Sequence, residues 1–230
     1  MAKPIIGLIV PPRGSFLPPD ATRLYGERAD FLVEGLGIEE MAVADFDAAA
    51  GRISSAARTL GERGAQSIAM LGTSLSFYRG AGFNRELEDA MRSASGRPAI
   101  TATSAVVDAF RARNAKRIAV GAAYDDAMNA RLVAYFEEAG FTIAGIAAMN
   151  IRKVREAMAA TDAAITELAE KACANAGKVD ALFLSCGAFA TGHLLEPLGA
   201  RFGLPIVSTT PAALAAAFRA ATPPSSSRSV

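Results

Sequence analysis

Ser67-Ile68-Ala69-Met70-Leu71-Gly72-Thr73-Ser74 and Ala181-Leu182-Phe183-Leu184-Ser185-Cys186-Gly187-Ala188 are two versions of one pattern, and their repetition decides the fold class. Each is a short apolar run that ends in small and hydroxyl residues, as a strand buried on both faces does before a site loop. Each is followed by a helix-like stretch and then by Gly-x-Pro leading into another short strand. Gly96-Arg97-Pro98-Ala99-Ile100-Thr101 matches Gly203-Leu204-Pro205-Ile206-Val207-Ser208. The opening Ile5-Ile6-Gly7-Leu8-Ile9 is likewise echoed by Arg117-Ile118-Ala119-Val120-Gly121. One half of this duplication carries a thiol, Cys186, where the other carries Gly72. That asymmetry points to one-sided proton chemistry.

Between the strands, apolar positions recur at helical spacing. Asp47 is placed to cap a helix through Ile53, Ala57 and Leu60 that stops at Gly64. Further helices are expected over Asn84–Ser95, from a Thr103 or Ser104 cap to Asn114, over Asp126–Glu138, over Asp162–Ala176 and over Pro211–Ala220. Strands are expected over Pro4–Val10, Ser67–Leu71 and Phe141–Ile146. Strands alternating with longer helices predict an α/β fold with two pseudo-symmetric lobes, each a short, mostly parallel sheet flanked by helices. We divide the chain into a first lobe over residues 1–114, with 209–221 packing back on it, and a second lobe over 115–208. A disordered tail is expected over 222–230. In such sheets ligands bind beyond the carboxyl ends of the strands. Pro11, Thr73, Ser74, Tyr124 and Cys186 all follow strands, so facing lobes would gather them at one cleft.

Bulk properties narrow the function. The chain has 230 residues, 51% hydrophobic and 20% charged, the balance of a globular protein with a substantial interior. A net charge of +1 offers no electrostatic footprint for nucleic acid or an anionic membrane. No apolar run approaches the roughly 20 residues that span a bilayer. Lys3 leads straight into a strand with no cleavage pattern, and Cys173 and Cys186 stand in unlike contexts. Both features predict a cytoplasmic protein without disulfides.

Several chemistries fail on their motifs. Gly80-x-Gly82 runs on to Arg85 without a third glycine, so the dinucleotide fingerprint is incomplete. One histidine and two distant cysteines make no metal cage, so no metal site is expected. Gly72-Thr73-Ser74-Leu75-Ser76 falls short of Gly-x-Ser-x-Gly. His193 reads as a partly exposed residue of the helix after Cys186. For the remaining candidates two readings stand side by side. Cys186 is either a small core hydrophobe or a reactive group at a strand end. Thr73, Ser74 and Ser76 either cap the next helix or cradle a carboxylate. Tyr124 is either an aromatic packed beneath a helix cap or part of the site.

Taken together, Gly72-Thr73-Ser74-Leu75-Ser76-Phe77-Tyr78-Arg79-Gly80, the opening Gly7-Leu8-Ile9-Val10-Pro11-Pro12, Tyr124 and Ser185-Cys186-Gly187 resemble the arylmalonate decarboxylases, a branch of the Asp/Glu/hydantoin racemase superfamily. The resemblance runs from about Pro4 to Arg219. Racemases and maleate isomerases of that superfamily place a cysteine in each lobe. Gly72 stands at the first position here, a departure the decarboxylases share. This chain reads Ser185-Cys186-Gly187-Ala188 where the family pattern is Ser-Cys-Gly-Gly. The resemblance implies cofactor-free decarboxylation of α-aryl-α-substituted malonates to optically active arylacetates or arylpropionates. It assigns Cys186 as the proton donor to an enediolate. Thr73, Ser74, Tyr124 and Gly187 become substrate-binding groups, Gly72 becomes the open position, and Pro11 with the segment around Met158 becomes an apolar wall. The expected partner is a small dicarboxylate, bound by a monomer or small homo-oligomer. Two alternatives remain at this level. One is a racemase or cis-trans isomerase of the same superfamily acting on an amino acid, hydantoin or maleate. The other is a non-catalytic carboxylate-binding protein.

Overall fold

The computed structural model describes residues 2–222. The expected tail therefore lies, from residue 223 onward, outside the described residues. Eight strands form two four-stranded sheets, ordered β2-β1-β3-β4 and β6-β5-β7-β8, and every pairing within them is parallel. The first sheet is built from β1 (Ile5–Val10), β2 (Asp30–Gly35), β3 (Ser67–Met70) and β4 (Ala99–Thr101). The second comprises β5 (Arg117–Ala122), β6 (Thr142–Ala148), β7 (Ala181–Ser185) and β8 (Ile206–Ser208). This is the α/β architecture expected, and the strand orders correspond one to one. Ser67 pairs with Ile6 in the first sheet as Ala181 pairs with Ile118 in the second. Counting along β3 and β7 from those pairs brings Gly72 and Cys186 to the same place.

The inner strands form because they bury both faces. β3 and β7 are buried at every position, which only an apolar run covered on both sides tolerates. The covering helices are α1 (Pro19–Tyr25), α2 (Val43–Glu62), α3 (Thr73–Phe77), α4 (Gly80–Ser95) and α5 (Ala102–Arg111), then α6 (Asp126–Glu138), α7 (Val154–Met158), α8 (Asp162–Ala176), α9 (Leu195–Phe202) and α10 (Thr209–Ala221). Helix α2 buries Phe46, Ala49, Ile53, Ala57 and Leu60 along one stripe. Left-handed Gly96 and Gly203 end α4 and α9 at matching positions.

Two helices exchange partners. Helix α10 follows the second sheet but packs on the first: the Ser67 hydroxyl donates to the Ala217 carbonyl at 2.8 Å, and Tyr25 meets Phe218 at 5.0 Å. Helix α5 follows the first sheet and carries Phe110 across to Phe183 of β7 at 5.8 Å, within an aromatic cluster that includes Phe136 and Phe141. The main buried cluster accordingly runs through both halves. Among the described residues no helix is long and apolar enough to cross a membrane.

Several local expectations need correction. Helix α2 starts at Val43, not at Asp47, because Asp45 reaches back to accept the Glu40 N–H at 2.9 Å. Asp47 instead accepts from the Tyr78 hydroxyl at 2.7 Å. Helix α5 is capped by Thr101, whose hydroxyl accepts the Ser104 N–H at 3.3 Å. His193 lies in the turn before α9, where it meets Asp162 at 2.7 Å.

Candidate active site

In a sheet ordered 2-1-3-4 the chain reverses direction between its first and third strands, and the crevice beyond their carboxyl ends is the natural ligand position. Pro11 follows β1 and Gly72 follows β3. Tyr124 follows β5 and Cys186 follows β7. The two crevices face one another and merge. One cavity is lined by Pro11, Gly72, Thr73, Ser74, Tyr124, Cys186 and Gly187, together with Ala188 and an apolar group. Seven of the residues singled out from the sequence therefore share one space, whereas Ser76 does not line it. A second cavity is lined by Phe16, Pro18 and Met158. It shares Pro11, Leu71, Val154, Gly187 and Ala188 with the first. Met158 thus lines the apolar annex, and it is Val154 of the same helix that reaches the thiol cavity.

The thiol is placed by the turn after β7. Cys186 is 3% exposed. The backbone N–H groups of Ala188 and Phe189 favour its thiolate, yet burial outweighs them and pushes the thiol up to about 11. It is a neutral S–H at physiological pH. Opposite it, Gly72 has extended-side backbone angles open to any residue, with φ −82° and ψ 88°. A Cβ there would meet Leu75 Cβ at 3.2 Å and Pro11 at 3.7 Å, so the position is narrow without being closed. Gly187 differs. A Cβ on it would collide with the Leu71 carbonyl oxygen, because the two strand-end loops pack directly against each other.

A second wall is built from hydroxyls. Helix α3 has no side-chain cap, so the capping reading of Thr73, Ser74 and Ser76 is not realised. Thr73 donates to Thr209 at 3.1 Å, and Ser76 donates to the Thr73 carbonyl at 2.8 Å. Tyr124 packs edge-on to Phe77 at 5.7 Å and accepts from Ser185 at 3.3 Å. Burial, reinforced by the nearby Cys186, drives its phenol far above the ordinary tyrosine range, against the hydrogen bonds of Ser185, Thr73 and Ser74. Its proton is therefore retained for donation. The duplication persists here: Thr103 donates to the Thr73 carbonyl at 3.2 Å as Thr210 donates to the Gly187 carbonyl at 3.0 Å.

Sequence reasoning missed three parts of the site. Thr209 opens α10 and reads as an ordinary helix start, although it meets Thr73 across 136 positions. Ile38 and Met41 come from the loop after β2, and Val154 opens α7 at the end of the loop after β6. Those loops clasp each other over the cavity. Met41 N–H donates to the Arg152 carbonyl at 2.7 Å, and Val154 N–H donates to the Glu39 carbonyl at 2.9 Å. Neither loop carries a periodic signal. Among the described residues, no group of three or more His, Cys, Asp or Glu side chains is arranged to hold a metal ion.

Comparison with known proteins identifies the family and the fold. The arylmalonate decarboxylase family profile matches residues 6–230. Arylmalonate decarboxylase of Bordetella bronchiseptica is 39% identical over 210 residues, covering 91% of this chain and 87% of that protein. A crystal structure of arylmalonate decarboxylase superposes with a TM-score of 0.86 at 36% identity, over 96% of this chain and 94% of that one. A liganded variant of the same enzyme, with one glycine changed to cysteine and one cysteine to serine, reaches 0.93 at 35% identity over the same shares. The two altered positions there have the same sequence separation as Gly72 and Cys186. A maleate cis-trans isomerase of Nocardia farcinica shares the fold, with a TM-score of 0.85 at 21% identity, over 95% of this chain and 93% of that one.

Proposed function

The chain belongs to the arylmalonate decarboxylase family and is a decarboxylase, and from that premise we propose that it converts α-aryl-α-substituted malonates to single-enantiomer arylacetates or arylpropionates, without a cofactor, through an enediolate protonated by Cys186. The observation that carries this reading is a single neutral thiol in a cavity whose other side offers hydroxyls and Gly72.

One substrate carboxylate is received by Thr73, Ser74 and Tyr124, with the backbone N–H groups of Ser74 and Gly187. The other lies against Pro11, Leu71, Val154 and Ala188, where apolar surroundings favour loss of its charge as CO₂. The C–C bonding pair passes into the enediolate, and the hydroxyl wall stabilises the charge that gathers on its two oxygens. The S–H of Cys186 then gives its proton to the α-carbon from one face. The resulting thiolate recovers a proton from water, so each turnover releases one CO₂ and takes up one proton. A racemase needs a base on one face and an acid on the other, and one thiol opposite Gly72 does not supply both. Release of CO₂ from phenylmalonate and α-methyl-α-phenylmalonate, without added cofactor, tests the reading directly. Turnover of amino acids, hydantoins or maleate in place of these substrates would overturn it, as would binding of arylacetates with no turnover of any malonate.

Tyr124→Phe and Thr73→Ala are each expected to lower kcat by about 10²–10³, the usual cost of one oxyanion donor. Steady-state kinetics decides this. Unchanged kcat with only a lowered melting temperature would reduce both residues to packing and hydrogen-bonding roles.

The buried thiol also sets a pH dependence. A proton donor with a pKa of about 11 stays loaded at neutral pH, so kcat should show no alkaline loss from Cys186 until pH passes roughly 10. Linkage has the same sign. The folded state holds the proton more tightly than an unfolded cysteine at about 8.5, so stability from this group is complete below that value and falls as pH rises toward 11. Kinetic and melting profiles between pH 7 and 11 check both.

A further inference from the structure

The carboxylate of Asp20 is buried, at 1% exposure, in a protein whose other carboxylates mostly face solvent. It lies in α1, on the first half of the chain, yet every hydrogen bond described for it goes to the second half. Oδ2 accepts the Thr191 N–H at 3.1 Å and the Thr191 hydroxyl at 3.4 Å, and Oδ1 accepts the Gly192 N–H at 2.9 Å. Thr191 is fully buried and continues the chain of contacts to the Ser208 hydroxyl at 2.7 Å. Ser208 in turn lies 3.3 Å from the Leu184 carbonyl and precedes Thr209, the partner of Thr73.

Both ends of this link touch the cavity. On one side, α1 is joined to β1 by the segment that supplies Pro11, Pro12, Phe16 and Pro18 to the apolar annex. On the other, Thr191 and Gly192 close the loop that begins at Cys186. The related half makes a counterpart with the opposite charge, in which Arg131 of α6 donates to the Tyr78 carbonyl at 2.7 Å, just beyond the Gly72 loop. A charged side chain from one half thus grips the strand-end loop of the other, in both directions.

We propose that Asp20 is a positioning residue that fixes the Cys186 loop against the apolar wall, and so sets the face from which the thiol protonates the intermediate. The inference rests on the decarboxylase mechanism above for its stereochemical part only. Its geometric part concerns how firmly the thiol is held, which is measurable without substrate.

The test compares the parent with Asp20→Asn, both in a Cys173→Ala background so that Cys186 is the one thiol. Asparagine keeps the size but turns an N–H₂ toward one of the two backbone N–H donors. Alkylation of Cys186 by iodoacetamide under native conditions should accelerate at least about tenfold as the loop loosens. With α-methyl-α-phenylmalonate, kcat should fall about 10–100-fold while KM changes less than about threefold, the pattern of a misplaced reacting group. Enantiomeric excess should fall with it. Gly192→Ala provides a variant that keeps the charge: its Cβ would meet Asp20 Oδ1 at 2.9 Å and press the loop away, moving the same readouts in the same direction. It decides the matter if Asp20→Asn does not fold. A role confined to stability would lower the melting temperature and leave both alkylation rate and enantiomeric excess at parental values, and that result in the folded variants overturns the proposal. If the parent turns over no arylmalonate, the mechanism fails while alkylation still judges the positioning role.

Discussion

Cys186→Ala should abolish decarboxylation, a loss of at least about 10²–10⁴ in kcat, while the protein stays folded. The substitution removes only a sulfur from a buried site, so a small cavity is the whole structural penalty. The catalytic penalty is larger because none of the other groups lining the cavity can replace the thiol. In the proposed mechanism the neighbouring hydroxyls of Tyr124 and Thr73 hold the substrate carboxylate and do not serve the α-carbon. Cys186→Ser should retain at most a trace, since an alcohol is a far weaker acid than a thiol. Carbon dioxide release together with circular-dichroism melting separates the two effects. Near-parental turnover in a folded alanine variant would take Cys186 out of the mechanism.

The second large effect is a gain. Gly72→Cys places a thiol across the cavity from Cys186, and the nearest atoms, Leu75 Cβ at 3.2 Å and Cδ2 at 3.5 Å, need move only slightly to admit it. Two thiols on opposite faces supply both an acid and a base. The variant should exchange the α-hydrogen of an α-arylpropionate with D₂O and racemise it, whereas the parent should deliver one enantiomer from the malonate. Burial limits the rate: with a thiol near 11, roughly one in ten thousand is ionised at pH 7, so exchange should quicken about tenfold per pH unit. The new side chain also occupies space beside Pro11, so bulky malonates should be decarboxylated more slowly. Chiral chromatography of products formed in D₂O reads each point. Racemic product from the parent, or a folded variant showing neither exchange nor racemisation, would sink the one-thiol account.

The parts of the site legible in the sequence are those held by strands buried on both faces. Such strands must be continuous apolar runs, so β3 and β7 announce themselves, and the residues directly after them inherit a position. Gly72, Thr73, Cys186 and Gly187 were found in this way. Edge strand β2, Asp-Phe-Leu-Val-Glu-Gly, is only half-buried and mixes charge with apolar residues, so it gives no such signal. Helix α1 is seven residues long and lacks a side-chain cap. The clasping loops that bring Ile38, Met41 and Val154 over the cavity are held by backbone hydrogen bonds, to which side-chain identity contributes little. Thr209 and Asp20 were hidden for another reason: each takes its meaning from a partner more than a hundred positions away.

The exchange of α5 and α10 bears on why one chain is needed at all. A half-length chain would leave its sheet without the helix that the other half lends, so it could close its core only by pairing with a copy of itself. Such a pair would be symmetric, and whatever stood after its third strand would appear twice across the cleft: two thiols or two glycines. Joining the halves in one polypeptide removes that constraint and lets Gly72 and Cys186 differ. On the one-thiol mechanism proposed above, the handedness of the product would thus depend on covalent continuity between two lobes that are otherwise near-equivalent.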